Sequence, residues 1–150
     1  MPLLHPDRIL SQNSNSLSLA KDLYQNISNL PLISPHGHCD PGWFANNQRF
    51  PDPAKLFVVP DHYILRMLVS QGLTLSELGI NSALNGRCEH NPAKIWKKFS
   101  ENYYLFRGTP TALWLDYSFE NVFGLLEPLT AENGDLYYKH IDKKLMHPDF

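Results

Sequence analysis

Apolar residues recur at helical spacing along most of this chain, and strict alternation of apolar with polar positions is nearly absent. Leu19, Leu23 and Ile27 form one stripe behind Ser16 or Ser18, either of which can cap a helix, and Asn29 and Pro31 end it. Ile64, Leu65, Leu68 and Val69 share one side of a helix that Asp61 opens as its cap and that closes before Gly72. Asn91-Pro92 is a cap followed by a first-turn proline, ahead of Ile95, Trp96, Phe99 and Tyr103. Thr109-Pro110 repeats the device ahead of Ala112, Leu113, Trp114 and Tyr117. Thr130 starts a last helix carrying Leu136, Tyr137, Ile141 and Leu145. The spacing predicts a mainly α chain.

One segment departs from that pattern. The short apolar run Pro31-Leu32-Ile33-Ser34-Pro35 predicts a strand over 32–34, delivering His36-Gly37-His38 at its end. A strand places residues i and i+2 on one face, so the two imidazoles would share a divalent cation. Seven histidines in 150 residues make the tripeptide weak by itself, and a structural histidine pair is the alternative. The context strengthens it, because a buried strand feeding a Pro/Gly-containing loop, here His38 to Gly42, is how parallel barrels present catalytic groups. The same geometry would turn Cys39 away from the histidine face. One strand makes no sheet, since its backbone groups need neighbours. Either 32–34 is not a strand, or its companions lie on a chain that continues past Phe150. The organisation is thus 1–40, a helix and a strand, followed by 41–150, a helical unit with prolines at 41, 51, 53 and 60.

Composition narrows the class of function. With 43% hydrophobic and 12% aromatic residues the chain can bury a core. A net charge of -2, with lysine and arginine scattered, offers no footprint for nucleic acid or an acidic membrane surface, so a small-molecule partner is favoured. No apolar run approaches the roughly 18 residues that span a bilayer. Two cysteines, Cys39 and Cys88, make no disulfide framework and there is no leader-like start, which points to the cytoplasm. Trp43, Trp96 and Trp114 are expected in the core, and His5, His90, His140 and His147 at the surface.

Several motifs together resemble the first third of the uronate isomerases, the glucuronate isomerase branch of the amidohydrolase superfamily. They are His36-Gly37-His38, Phe50-Pro51-Asp52-Pro53, Leu56-Phe57, Pro60-Asp61-His62-Tyr63-Ile64-Leu65-Arg66 and Gly72. Trp96 with Phe99, Leu105-Phe106-Arg107-Gly108-Thr109-Pro110, Trp114-Leu115 and Val122-Phe123-Gly124 extend the likeness in order and spacing. The resemblance implies a helical insertion subdomain plus the first β-strand of a distorted amidohydrolase-type (β/α)8 barrel whose remainder is absent. A complete barrel takes about 250 residues, so the chain is expected to be a fragment or a truncated product.

The reaction implied is aldose–ketose isomerisation in hexuronate catabolism, D-glucuronate to D-fructuronate and D-galacturonate to D-tagaturonate. Moving a proton from C2 to C1 needs a base, an acid at the carbonyl oxygen and a cationic grip on the carboxylate. The resemblance makes His36 and His38 first-strand ligands of a divalent metal, zinc or manganese, held weakly or absent in a fragment. It makes Tyr63 a catalytic group against the substrate, able to shuttle a proton, and His62 its catalytic, substrate-contacting neighbour. Arg66, one helical turn past His62, would orient that histidine or bind a carboxylate. The family's later histidine, its last-strand aspartate and its carboxylate-clamping arginines have no counterpart before Phe150, so the chain by itself is expected to be inactive. Two other readings are a metal-dependent hydrolase, against which Asp61-His62-Tyr63 argues, and a non-catalytic helical fragment that pairs with a partner or forms a homo-oligomer.

Overall fold

The structure, a computed structural model, describes residues 3–34, 36–37, 40–81, 87–147 and 150. Its helices are α1 (Ser14–Gln25), α2 (Pro41–Asn46), α3 (Pro53–Phe57), α4 (His62–Ser70), α5 (Pro92–Glu101), α6 (Pro110–Asn121) and α7 (Gly134–Leu145), with 3-10 turns at Ser76–Leu78 and Tyr103–Phe106. One pair of residues writes four of the helix starts. A side-chain oxygen accepts first-turn N–H groups, and the next residue is a proline that has no N–H to satisfy. Asp40, Asp52, Asn91 and Thr109 are these caps for α2, α3, α5 and α6. Asp61 caps α4 without a proline, accepting from the amides of Tyr63 at 2.8 Å and Ile64 at 3.3 Å.

Two predicted starts move. α1 is capped by Asn13, which accepts from Asn15 and Ser16, so both candidate serines lie inside the helix. Asn13 comes earlier, and once a cap has formed each further turn adds at little cost. Thr130 opens a turn instead of a helix, its amide donating to Asn133 Oδ1 at 2.8 Å, and α7 begins four residues later. The expected strand is also missing. No strand occurs among the described residues, and Leu32 and Ile33 are 98% and 92% exposed. A segment with no neighbour to accept its backbone hydrogen bonds has no reason to order as a strand.

The core is built around α5, which packs against α3, α7 and both 3-10 turns. Trp96 and Phe99 of α5 are fully buried with Phe106, Leu115, Phe119 and Ile141, and Ile64 and Leu68 bring α4 onto the same core. The indole Nε1 of Trp96 donates to the carbonyl of Gly134 at 2.9 Å, deep inside the protein. At that point the first residue of α7 lies on Ser100, so close that a side-chain carbon at 134 would sit 2.7 Å from Ser100 Cβ. Two side chains of α7 finish α6: Lys144 Nζ donates to the Val122 carbonyl at 3.0 Å, and His140 Nε2 lies 2.8 Å from the Phe123 carbonyl. Carbonyls at the end of a helix have no partner of their own, so these side chains meet a real need. Tyr103 O–H donates to Asp116 Oδ1 at 2.7 Å, tying the second 3-10 turn to α6. Burial pushes the Tyr103 phenol up, and burial also raises the Asp116 carboxyl.

The apolar stripes fare differently. Ile95, Trp96, Phe99 and Tyr103 are buried as predicted, whereas α6 buries Leu115 and Phe119 and leaves Trp114 and Tyr117 largely exposed. Leu136 of α7 faces out, while Tyr137, Ile141 and Leu145 face in. α1 buries no residue, and Leu19, Leu23 and Ile27 are each more than half exposed. Its stripe is present and unpartnered here.

Two measurements probe this packing. Alanine for glycine usually stabilises a helix by about 0.5–1 kcal/mol, but Gly134→Ala must displace Ser100. It is expected to destabilise by about 1–3 kcal/mol in denaturant unfolding, as overpacking does, with Ser100→Gly restoring part of the loss. Glu77 supplies the pH-dependent case. Its carboxylate accepts from the Thr74 amide at 2.9 Å, from the Thr74 hydroxyl at 2.8 Å and from Lys98 Nζ at 2.9 Å. These donors, the Thr74 amide first, lower its pKa from 4.5 to about 2. A carboxylate depressed by folding adds stability above its unfolded pKa and loses it as pH falls through the folded one. The stability gap between the native chain and Glu77→Gln should therefore be constant above pH 4.5 and close between about 4.5 and 2. Solvent exposure keeps that gap small.

Candidate active-site wall

The first turn of α4 is where sequence and geometry meet. With Asp61 buried and committed to the helix cap, His62 and Tyr63 become the first two helical residues and project outward, both exposed. Their rings lie against each other in a tilted pair, 4.3 Å between centroids and 33° apart. Arg66, one turn on, places its guanidinium 5.0 Å from the centre of the Tyr63 ring. The arginine predicted to orient His62 therefore sits on the phenol, where a cation over an electron-rich ring is attracted to it. Tyr63 thus has two neighbours on its ring, the His62 imidazole and the Arg66 guanidinium.

Tyr63 borders a cavity of about 480 Å³ that it shares with His36 and Gly37 from the loop before α2. The structure thus brings together His36 and Tyr63, two of the residues singled out in the sequence. Leu56, Phe57, Pro60 and Asp61, Trp43 of α2, and Pro110, Thr111 and Trp114 of α6 complete its lining. His62 is not among the lining residues. Arg66 lines an adjoining cavity of about 640 Å³, separated from the first by Tyr63, Pro110 and Thr111. His36 is exposed, and its carbonyl accepts from the Ser34 hydroxyl at 2.8 Å. His38 and Cys39 lie outside the described residues, so the shared-face pairing with His36 and the orientation of the cysteine have no structural counterpart here. The same-face argument itself loses its strand. Among the described residues no three His, Cys, Asp or Glu side chains gather as a metal shell.

The aromatic side of this cavity was not anticipated. Trp114, expected in the core, is 39% exposed, and Trp43 is half-buried. Both are held by rings: Trp114 stacks on Phe57 at 6.0 Å and 29°, and Trp43 meets Phe50 edge-on at 5.3 Å. A signal existed in the sequence. Four successive apolar residues, Ala112 to Leu115, cannot all face one side of a helix, so at least one had to point away from the core. His5, His90, His140 and His147 are exposed, as their lack of motif implied. No helix among the described residues is long and apolar enough to cross a membrane.

Known proteins resemble this chain over nearly its whole length. The family model for glucuronate isomerase matches residues 4–150. The uronate isomerase of Mesorhizobium japonicum is 49% identical over 148 residues, covering 99% of this chain and 32% of that protein. That of Rhizobium meliloti is 45% identical with the same coverage. The crystal structure of glucuronate isomerase from Caulobacter crescentus superposes with a TM-score of 0.87 at 42% identity, over 98% of this chain and 30% of that one. The uronate isomerase structure from Thermotoga maritima, 20% identical with a TM-score of 0.77, shares the fold. The chain spans about a third of the length of the curated relatives it matches. Motifs, packing and these matches converge, and the chain belongs to the glucuronate isomerase family.

Proposed function

We propose that residues 1–150 are the amino-terminal part of a uronate isomerase and form one wall of its active site. The helical unit would be the insertion that follows the first strand of an amidohydrolase-type barrel. The observation that carries the reading is the cavity shared by His36 and Tyr63, residues far apart in sequence that belong to separate family motifs. The reaction is the interconversion of D-glucuronate with D-fructuronate, and of D-galacturonate with D-tagaturonate. It moves one proton between adjacent carbons while carbonyl and hydroxyl exchange places, so a group that both gives and takes a proton near C1 and C2 is required. The Tyr63 phenol has that capacity and opens onto the cavity. His62, packed on the phenol outside the cavity lining, and Arg66, which borders the adjoining cavity, would reach a substrate that extends past Tyr63, the imidazole offering a ring nitrogen to a substrate oxygen and the guanidinium its positive charge to the carboxylate.

The residues present fit a divalent cation as part of a larger shell. Imidazoles from His36 and His38 suit zinc or manganese but fill half of a tetrahedral set, so further donors must come from outside 1–150. Such an ion supplies polarisation of the carbonyl oxygen when bound. A wall lacking those donors and the carboxylate clamp is an incomplete catalyst, and the isolated chain is inactive in this account.

The test joins residues 1–150 to the remaining two-thirds of the Mesorhizobium japonicum relative. The joined protein should convert D-glucuronate to a ketose of unchanged mass, and Tyr63→Phe should lower kcat by about 100-fold or more with unchanged circular dichroism. The purified 150-residue chain should show no turnover. A folded but inactive joined protein, full activity in Tyr63→Phe, or turnover by the short chain would each contradict the proposal.

A further inference from the structure

We propose that Trp114 is a substrate-binding residue of this site, a platform on which one face of the hexuronate ring stacks. The inference rests on the isomerase reading and assigns the sugar's carbon-bound face, which none of the proposed catalytic groups contacts. Three observations meet at this side chain. Trp114 borders the same cavity of about 480 Å³ as His36 and Tyr63, so a sugar occupying that cavity has the indole among its walls. It is 39% exposed although it belongs to a helix whose Leu115 and Phe119 are fully buried, so the core leaves part of the indole open. It is also held in one orientation, stacked on Phe57, which is in turn packed against Phe119, Phe123 and Trp96.

The chemistry fits a sugar. A ligand site combines apolar walls with a few polar groups that fix orientation, and this cavity is lined by Trp114, Phe57, Leu56 and Pro110 together with an imidazole and a phenol. The closed β-anomer of D-glucuronate, the form the platform would receive before the ring opens to the carbonyl form that isomerises, presents the axial hydrogens of C1, C3 and C5 on one face. Those weakly positive C–H groups complement the negative face of an indole. Hydroxyls project around the ring edge, toward the polar side. A platform rigid before binding loses little conformational freedom when the ring arrives.

Saturation-transfer difference NMR with the 150-residue chain and D-glucuronate tests this. Transfer should be strongest at the C1, C3 and C5 hydrogens of the β-anomer. Trp114→Ala should weaken binding roughly threefold to tenfold and flatten that pattern, while Trp114→Phe should retain most of it. Thermal unfolding of both variants separates a lost platform from a lost fold. Transfer that is unchanged in Trp114→Ala would overturn the proposal, as would the absence of transfer from the native chain. If the native pattern survives Trp114→Ala but disappears in Tyr63→Phe, the platform is wrong and the site is right. The isomerase reading itself is decided separately, by turnover of the joined protein.

Discussion

The contact between Trp96 and Gly134 is the constraint on which the rest of this structure depends. An indole buried away from water must place its one N–H on an acceptor. The Gly134 carbonyl can accept it because a carbonyl oxygen has two lone pairs, and α5 and α7 come close enough because residue 134 has no side chain to hold Ser100 away. That approach seats Tyr137 and Ile141 against Phe119 and the other rings of the core, and brings Lys144 and His140 to the end of α6. Burial of so many aromatics makes this interior stiff, since close-packed rings leave no room for rearrangement. α3, α4 and α6 are fastened to it, and they carry the cavity.

The candidate site is consequently a rigid wall presented by a helical core. Asp61 is central to it without contributing reactivity. By spending its carboxylate on the amides of Tyr63 and Ile64 it fixes where α4 begins, and so which two residues emerge as the outward-facing pair. The segment bearing His36 is different in kind. It leaves α1, runs through exposed Leu32 and Ile33, and reaches the cavity without a paired strand beneath it. α1 itself shows an apolar stripe to solvent. A helical unit that closes on itself, next to an apolar segment that does not, accords with a chain spanning about a third of its relatives.

Much of this was legible from residue order. Caps followed by proline located α5 and α6, and the same signature at Asp40-Pro41 and Asp52-Pro53 marks α2 and α3, which periodicity alone passes over because two turns or fewer show no stripe. The stripe of α5 identified the core correctly because every one of its apolar residues has a partner within these 150 residues. The run at 32–34 was read as a strand only if its companions lie past Phe150, and it forms no strand and stays exposed like the stripe of α1, because an apolar pattern states a need for a partner without saying whether the partner is present. Trp114 was misplaced for the converse reason. Helical spacing predicts burial on average, and a tryptophan turned toward a cavity has the same spacing as one turned toward the core. His62, Tyr63, Arg66 and His36 came from motif resemblance, and what the fold adds is that Tyr63 and His36 face one cavity while Arg66 rests on the phenol.

The central claim is that the aromatic core clasped at Trp96 and Gly134 orders the wall of the site by itself, independently of the segment that carries α1. Native-state hydrogen exchange on the 150-residue chain tests it directly, because protection measures the opening free energy of each region separately. The account predicts that the Trp96 indole N–H exchanges only with global unfolding, that the Tyr63 and Ile64 amides are protected by their cap, and that the amides of α1 exchange far faster. A Trp96 indole that exchanges as quickly as the α1 backbone would contradict it.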